Sequence, residues 1–271
     1  MRSRYKIQYF VLVVGCIFLC LTATAQDSLV RFGAEEKPKS LGIKYDIIVF
    51  NKGVHEPWHL VSLEYSQEVK NIPLIARINY ANRFSRSGAQ LEADAYPAIS
   101  KKVYAYLNAG YSNDRLLFPR YRAGFSLYVS LPAAFEAESG FRLIHFDSSI
   151  WIYTASIGKY YKSFWFNLST YLTPGANSVS QSYFVKTRYY FNDKDYLMFA
   201  VGSGISPDDR KNNIGLNSTA KMNSKKAEIT FRNSIGKKNI LLVNAGWMSL
   251  ENEVKSYLKQ MNFGLGLQRF L

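Results

Sequence analysis

The feature that most constrains the fold is a two-residue alternation of apolar and polar side chains that recurs along most of the chain. Between Tyr121 and Leu131 every odd-numbered residue is aromatic or aliphatic, and Arg122, Ser126 and Ser130 are among the residues between them. This spacing is typical of a β-strand with one apolar face. The same alternation occurs in 77–85, 90–95, 103–109 and 260–268. No segment competes convincingly as an amphipathic helix, so the sequence predicts an all-β fold.

Turn residues divide the chain into strands of similar length. Clusters of Asn, Asp, Gly, Pro and Ser mark the ends of the alternating segments. The predicted strands are 42–50, 58–66, 72–84, 87–97, 102–112, 119–131, 135–146, 150–161, 163–173, 180–191, 194–204, 225–235, 239–249 and 257–270. About fourteen strands is an even number, as bacterial membrane barrels require. Twelve and sixteen stay open, because 214–220 could hold a further strand and a weak strand could fail.

The connections between these strands alternate in length. Those after even-numbered strands are tight, as at 132–134 and 236–238, whereas those after odd-numbered strands include 113–118 and 205–224. Membrane barrels alternate short periplasmic turns with longer outer loops in this way. The hairpin at Ser85 and Arg86 is the one short exception among the outer loops.

The N-terminus has the organisation of a secretory signal peptide. The first eight residues carry three basic residues and no acid, and an apolar stretch runs from Tyr9 to Leu21. The stretch is short for a membrane-spanning helix, and it is followed by Ala23-Thr24-Ala25, a small-residue pattern that signal peptidase recognises. We therefore expect export and cleavage after Ala25. A retained anchor and a lipoprotein cut at Cys16 are the weaker alternatives.

Cysteine content and charge narrow the possible functions. Cys16 and Cys20 both lie inside the predicted signal, so the exported chain has no thiol for a disulfide, a nucleophile or a metal site. Removing three basic signal residues from 34 leaves 31 against 20 acidic residues, a net charge of +11. Export makes nucleic acid a poor partner for this charge. The predicted partners are outer-membrane lipid, lipopolysaccharide phosphates and an acidic or neutral glycan, with the barrel-assembly machinery during insertion.

Aromatic residues favour a membrane barrel over a soluble β-sandwich, which also alternates and is the competing fold. Aromatics make up 15% of the chain, with 20 Tyr and 18 Phe. The predicted topology places Trp58, Trp151 and Trp247 at the outer membrane interface and Trp165 near the inner one. Tryptophan at strand ends is expected of the aromatic girdles that flank the apolar band.

Several spaced motifs make the chain from about Trp58 to the C-terminus similar to the YaiO family of outer-membrane barrels. The motifs are QLEADAYP (90–97), YAYLNAGYSND with FPRYRAGFSLY (within 104–128), ESGFRLIHF (138–146) and GKYYKSFWFNLSTYLTP (158–174). The resemblance implies an outer-membrane location and defines no molecular activity. Many relatives carry helical repeats ahead of the barrel, and some are associated with cell-surface polysaccharide. Here only 26–41 precedes the first predicted strand, so no repeat-dependent partnership is predicted.

One group of residues could carry hydrolytic chemistry. His145, Asp147, Ser148 and Ser149 lie together at a predicted outer turn, where an outer-membrane hydrolase would need a base beside a nucleophile. His145 is an even number of residues from Phe141 in the same predicted strand, so the two side chains share one face of it (the same parity). This predicts an interface position that faces the membrane instead. The remaining histidines, His55 and His59, form no such group. The alternative function is that of an outer-membrane hydrolase or lipid-modifying enzyme with a rim site near His145.

Charges on the predicted inward faces are the stronger candidates for function. Carboxylates that share a lumen with arginines form either a structural salt-bridge ladder or a polar passage with a binding chamber. Tyrosines of the same parity offer stacking surfaces for sugars. The candidate ligand-binding residues are Arg77, Glu92, Asp94, Tyr104, Tyr106, Arg120, Arg122, Glu136, Glu138 and Arg142. No catalytic residue, cofactor or metal is assigned, because Asp208 and Asp209 alone fall far short of a calcium site.

These observations predict a signal peptide at 1–25, a short periplasmic segment at 26–41 and a transmembrane antiparallel up-and-down β-barrel at 42–271. We expect this barrel to lie in the outer membrane of a Gram-negative bacterium. The predicted function is that of a non-enzymatic channel, export aid or surface-glycan-associated barrel. The lumen could equally be closed in a structural or adhesive barrel.

Overall fold

A computed structural model of the chain describes residues 39–51, 56–175, 178–212, 223–251 and 257–271. The predicted signal peptide and His55 lie outside these residues. The described residues form fourteen strands and one short helix. They are β1 (Ser40–Phe50), β2 (Trp58–Val69), β3 (Ile72–Arg83), β4 (Arg86–Ala95), β5 (Val103–Ser112), β6 (Tyr121–Leu131), β7 (Phe135–His145), β8 (Ser149–Tyr161), β9 (Phe164–Pro174), β10 (Val179–Tyr190), β11 (Tyr196–Ser203), α1 (Pro207–Asn212), β12 (Ser224–Ile235), β13 (Asn239–Glu251) and β14 (Tyr257–Phe270).

Every strand pairs antiparallel with its neighbours in sequence, and β1 pairs with β14 to close the barrel. The closing register runs from Ser40 opposite Phe270 to Phe50 opposite Gln260. The prediction of an antiparallel barrel of about fourteen strands is confirmed, and the β-sandwich and the other strand numbers are wrong. Closure leaves no unpaired strand edge, which is what allows a sheet to span a bilayer.

The two faces of each strand differ as the alternation predicts. Leu127 is 36% exposed on the outer face of β6, whereas its neighbour Ser126 points inward and is 0% exposed. Large apolar side chains such as Leu63, Ile78 and Leu91 are likewise exposed on the outside. An exposed apolar band is expected where the surrounding solvent is lipid, not water.

The two ends of the barrel differ in their connections. One end, here called the short-turn end, carries the tight turns and the ends of β1 and β14, and the other is called the long-loop end. At the short-turn end Lys70 and Asn71 both have positive φ, which is the geometry of a two-residue hairpin turn that follows the twist of the strands. The long-loop end carries α1, between β11 and β12. Among the described residues no helix is long and apolar enough to cross a bilayer.

Aromatic side chains form belts on the outer face, but two tryptophans do not belong to them. Trp151 is exposed beside Phe141 with 5.5 Å between ring centroids, as a girdle residue should be. Trp58 faces inward and is 2% exposed, and Trp165 faces inward beneath Arg188. The girdle prediction for these two is wrong, because each shares its parity with the polar residues of its own strand and not with the apolar ones.

Candidate functional site

The lumen is packed with apolar side chains at the long-loop end. Three buried clusters lie there on inward-facing positions and on the loops above them. They are Ile144, Phe146, Ile150 and Ile152; Ile205, Met248 and Leu250; and Ala81, Leu117 and Phe118. The sequence did not predict these clusters, since apolar residues at inward positions contradict the simple rule of a polar lumen.

The described first part of the loop between β11 and β12, residues 204–212, folds back into the mouth of the barrel. The Ser182 hydroxyl donates to the Ile205 carbonyl at 3.0 Å and accepts from the Ile205 amide at 2.8 Å. Beyond it, Ser206 and Asp209 cap the start of α1 through reciprocal hydrogen bonds. Lys226 of β12 pairs with Asp209 at 3.0 Å. These contacts hold α1 against the inner wall.

An arginine is buried at the same end. Arg83 is 1% exposed, and its guanidinium lies 5.3 Å from the ring of Trp58 and 5.5 Å from the ring of Phe118. Stacking between two aromatic rings is a favourable way to bury this delocalised cation. Arg83 thus faces inward and makes a structural contact with the two rings.

Midway along the lumen, Arg77 and Arg122 pair with acidic side chains of β2 and β4, and both contact Glu92. Arg77 of β3 donates to Glu64 and to Asp94 at 2.6 Å each, and it lies 3.8 Å from Glu92. Arg122 of β6 forms a buried ion pair with Glu92. The network thus connects β2, β3, β4 and β6 along one side of the lumen, and it brings together four of the predicted site residues.

A second group continues the network toward β7 and β8. The Arg142 guanidinium donates to the Ser126 hydroxyl at 2.9 Å and to Glu138 at 3.4 Å, and its carbon lies 4.6 Å from the ring centroid of Tyr106. Glu138 also accepts from Ser126 at 2.8 Å and from Ser156 at 3.0 Å. Each ionised group is surrounded by hydrogen-bond partners, as a desolvated charge requires.

A cavity of about 300 Å³ lies where the two groups meet. Its lining combines cations, acids and phenol rings. The lining residues are Arg77, Asp94, Tyr96, Tyr106, Asn108, Arg122, Tyr128, Arg142 and Asp208. Asp208 comes from α1 and is exposed. The sequence could not place it there, because its position depends on how the loop folds.

Tyrosines continue from this cavity toward the short-turn end. Tyr104 and Tyr128 are stacked with 4.6 Å between centroids and 2° between ring planes, and the Tyr104 hydroxyl donates to Glu136 at 3.3 Å. Tyr96 lies 5.3 Å from Tyr106, and burial raises the pKa of Tyr96 to about 12. The Tyr96 phenol therefore stays neutral at any physiological pH.

On the opposite wall of the short-turn half of the lumen, the cationic side chain of Arg188 lies among aromatic rings. The guanidinium of Arg188 lies 4.9 Å from the ring of Trp165 and 4.3 Å from the ring of Tyr196. Arg188 also donates to the Tyr190 hydroxyl at 2.9 Å. The short-turn half of the lumen therefore offers aromatic faces on both sides of the barrel. We call this region, from Tyr104 and Tyr128 to Tyr190 and Tyr196, the aromatic vestibule.

Arg120 is the one predicted lumen residue that the structure places elsewhere. It precedes β6, is exposed, and lies 5.6 Å from the ring of Tyr121, which faces outward. Parity fixes the direction of a side chain only within a strand, and Arg120 lies just outside one. Its assignment to the lumen is wrong.

The His145 group is assembled only in part. The Nδ1 atom of His145 lies 3.0 Å from the Ser149 hydroxyl, and its ring lies 6.0 Å from that of Tyr121 on the outer face. Asp147 is paired with Arg115 at 2.8 Å instead of with the histidine. A nucleophile–base contact is therefore present, but Asp147 does not orient the base.

Two further features lie outside the lumen site. Within the described ranges, no cluster of three or more His, Cys, Asp or Glu side chains is arranged to hold a metal ion. A larger hollow of about 500 Å³ borders Ala76, Ala93 and Ala109, which face outward, so it lies largely on the lipid side of β3 to β5.

Comparison with known proteins supports the fold. The profile of a family described as the YaiO membrane beta barrel domain matches residues 38–209. The structure is similar to that of the CymD monoaromatic hydrocarbon channel, with a TM-score of 0.58 and 7% identity over 88% of this chain and 89% of that one. It is also similar to Omp33 of Acinetobacter baumannii, with a TM-score of 0.53 and 9% identity over 87% and 99%. No curated protein sequence matches the chain. At these identities the structural matches show a shared fold alone.

Proposed function

The chain belongs to the YaiO family of membrane β-barrels, and on that premise we propose that it is a non-enzymatic outer-membrane channel whose lumen binds a glycan. Short turns face the periplasm in outer-membrane barrels. The aromatic vestibule then opens to the periplasm, and the apolar clusters lie at the cell exterior. A solute therefore meets the vestibule first when it comes from the periplasm.

The observation that carries this proposal is the cavity between the arginine–carboxylate network and the stacked tyrosines. Sugar rings present apolar faces that pack on aromatic rings, and their hydroxyls need both donors and acceptors around the rim. Tyr128, which lines the cavity and is held by stacking on Tyr104, supplies an aromatic face, while Arg77, Arg142 and Asp94 supply the polar groups. A volume of about 300 Å³ is at the lower limit of typical ligand pockets, so we expect it to hold one or two sugar rings.

Planar-bilayer recording of the purified, refolded protein tests the proposal. Oligosaccharides added on the short-turn side should block ion current at lower concentration than on the long-loop side. The double variant Tyr104→Ala and Tyr128→Ala should weaken this block, whereas Tyr153→Ala, a change on the lipid face, should not. A protein that conducts no current, or whose block ignores the tyrosines, would contradict the proposal.

A channel for small apolar solutes is the second candidate, favoured by the apolar clusters inside the long-loop end. CymD, a monoaromatic hydrocarbon channel by its name, shares the fold. The charged network lies below these clusters and opposes passage of an apolar molecule through the whole lumen, because such a molecule would leave buried charges without partners. Uptake of an aromatic hydrocarbon into proteoliposomes, with no sugar block of the current, would favour this second function.

A further inference from the structure

The positive charge of the chain is concentrated at one end of the barrel. Among the residues that the structure describes, the connections and chain ends at the short-turn end carry eight lysines and two acidic side chains, all outside the strands. The lysines are Lys39, Lys70, Lys101, Lys102, Lys162, Lys194, Lys237 and Lys238, and the acids are Asp193 and Asp195. Over the described residues, the connections at the long-loop end carry four basic and five acidic residues. A charge excess of this kind marks the surface that meets an anion.

The lysines lie directly beyond a belt of outward-facing aromatic rings. Phe164 lies 5.0 Å from Tyr189, and Tyr189 lies 5.3 Å from Phe191, all on the outer face at the short-turn end. Aromatic belts occupy the level of the lipid head groups. Residues that follow the belt in the turns are therefore at the depth of the phosphates.

Individual lysines behave as interface residues. Lys159 lies 4.0 Å from the ring of Phe135 and donates to the Ala133 carbonyl at 2.6 Å, so its charged end turns toward the turn region. Lys162 lies 5.5 Å from the ring of Tyr161. Long cationic side chains that cover apolar surface with the stem and keep the charge at the head groups are typical of a membrane boundary.

We propose that this lysine rim binds the phosphate groups of anionic phospholipids in the leaflet that faces the periplasm. Lysines in the turns surround the barrel on its perimeter and adjoin lipid-facing aromatics, which favours head groups over a polymer in the lumen. Basic and acidic residues nearly balance at the long-loop end, so that end offers fewer unpaired cationic groups to the phosphates of lipopolysaccharide. The proposal is independent of what passes through the lumen.

Unfolding in lipid vesicles of two compositions tests the rim. The wild-type chain should unfold at a higher temperature in vesicles containing one quarter phosphatidylglycerol than in pure phosphatidylcholine. This difference should disappear at high salt, because the attraction is screened. The triple variant Lys102→Gln, Lys237→Gln and Lys238→Gln should lose most of this difference in unfolding temperature. The preference of the barrel for the anionic lipid should fall about fivefold for each lysine in contact with the surface.

A matched variant at the other end separates the rim from general basicity. Arg86→Gln, Lys225→Gln and Lys259→Gln remove the same charge from exposed positions near the long-loop end. This variant should keep the wild-type lipid response. Equal losses in both variants, or no loss in the rim variant, would overturn the proposal. So would a rim variant that keeps its lipid response but no longer binds soluble polygalacturonate, since the rim would then serve an acidic glycan.

Discussion

Leu127 shows how a single position tests the assignment of faces. The side chain lies midway along β6 and is exposed to the surrounding lipid. Leu127→Arg should lower the free energy of unfolding by about 2 to 4 kcal/mol, the cost of a cation near the bilayer midplane. Leu127→Ala, which adds no charge, should cost less. Denaturant unfolding in lipid vesicles measures both, and equal costs would contradict the lipid-facing position.

The neighbouring residue shows where parity alone falls short. The alternation predicts that Ser126 faces the lumen, and this is confirmed. The alternation also suggests that this position lies in a water-filled lumen and tolerates a larger polar side chain. The structure differs, because Ser126 is fully buried and hydrogen-bonded to Arg142 and Glu138. We therefore expect Ser126→Arg to be as damaging as Leu127→Arg, through overcrowding and not through exposure to lipid.

His145 provides a second test at the scale of one residue. Its ring faces outward beside Tyr121, and the nearby carboxylate of Asp147 is paired with Arg115. His145→Ala should therefore leave any lipid- or peptide-cleaving activity of the preparation unchanged, and Ser149→Ala should do the same. A large and reproducible loss in both variants would instead favour a hydrolase at the outer rim.

At the scale of elements, the buried pair between β4 and β6 should behave as a structural unit. Glu92→Gln leaves the buried Arg122 without its nearest acid, so we expect a loss of about 3 to 5 kcal/mol in unfolding free energy. The double variant Glu92→Gln and Arg122→Met should lose less, because no cation is then stranded. Asp147→Asn, which removes the exposed pair with Arg115, should cost under about 1 kcal/mol. A double variant with a lower free energy of unfolding than Glu92→Gln alone would contradict this reasoning.

The turn between β10 and β11 predicts a pH dependence. Hydrogen bonds from Asn192 at 2.8 Å and from the Ser234 hydroxyl and amide at 2.7 Å lower the pKa of Asp195 below its usual range. A lowered folded pKa stabilises the fold above the usual Asp value of about 4, and this contribution is lost as pH falls through the folded value. Unfolding midpoints of the wild type and Asp195→Asn should therefore converge on acidification from pH 7 to 3. If the difference between the two unfolding midpoints stayed constant over this pH range, the ionised Asp195 carboxylate would not be the group that stabilises the fold.

Strands were predictable from the sequence, whereas the elements that fill the mouth were not. The end of β6 at Leu131 and the bounds of β14 match the prediction, since parity and turn residues act over a few neighbouring positions. The helix α1 has six residues, which is too short for a periodic signal. Its site in the lumen depends on the contacts of Ser182 with Ile205 and of Lys226 with Asp209, which are 23 and 17 residues apart in parts of the chain that the sequence pattern does not connect.

The lumen site was partly predictable for the same reason. Inward parity identified Arg77, Glu92, Asp94 and Arg142, because charges in a strand interior have only the lumen in which to lie. It could not show that Asp208 joins them, because the position of Asp208 follows from the fold of a loop. Trp58 and Trp165 share their parity with polar residues of their own strands, so parity itself opposed their assignment to the outer belts.

At the scale of the whole molecule, the barrel combines a hydrogen-bonded wall with loops that occupy one mouth. The wall is closed by continuous pairing, so opening of the passage must come from the contents of the lumen. Ile205, packed on Met248 and Leu250, is the apolar contact of the described β11–β12 loop, beside its hydrogen bonds with Ser182 and the ion pair between Asp209 and Lys226. The apolar cluster, and not the wall, should therefore limit ion flow at the long-loop end.

Met248→Ser with Leu250→Ser should release this loop and raise single-channel conductance. Both residues face the lumen, so the changes remove apolar contacts with Ile205 that, for large-to-small core substitutions, are worth about 2 to 5 kcal/mol each, while they leave the strand pairing in place. Val243→Ser, on the lipid face of the same strand, should leave conductance unchanged although it lowers stability. If the double variant conducts like the wild type, the arginine–carboxylate network is the narrowest barrier, and neutralising Asp94 or Arg142 should then alter the current instead.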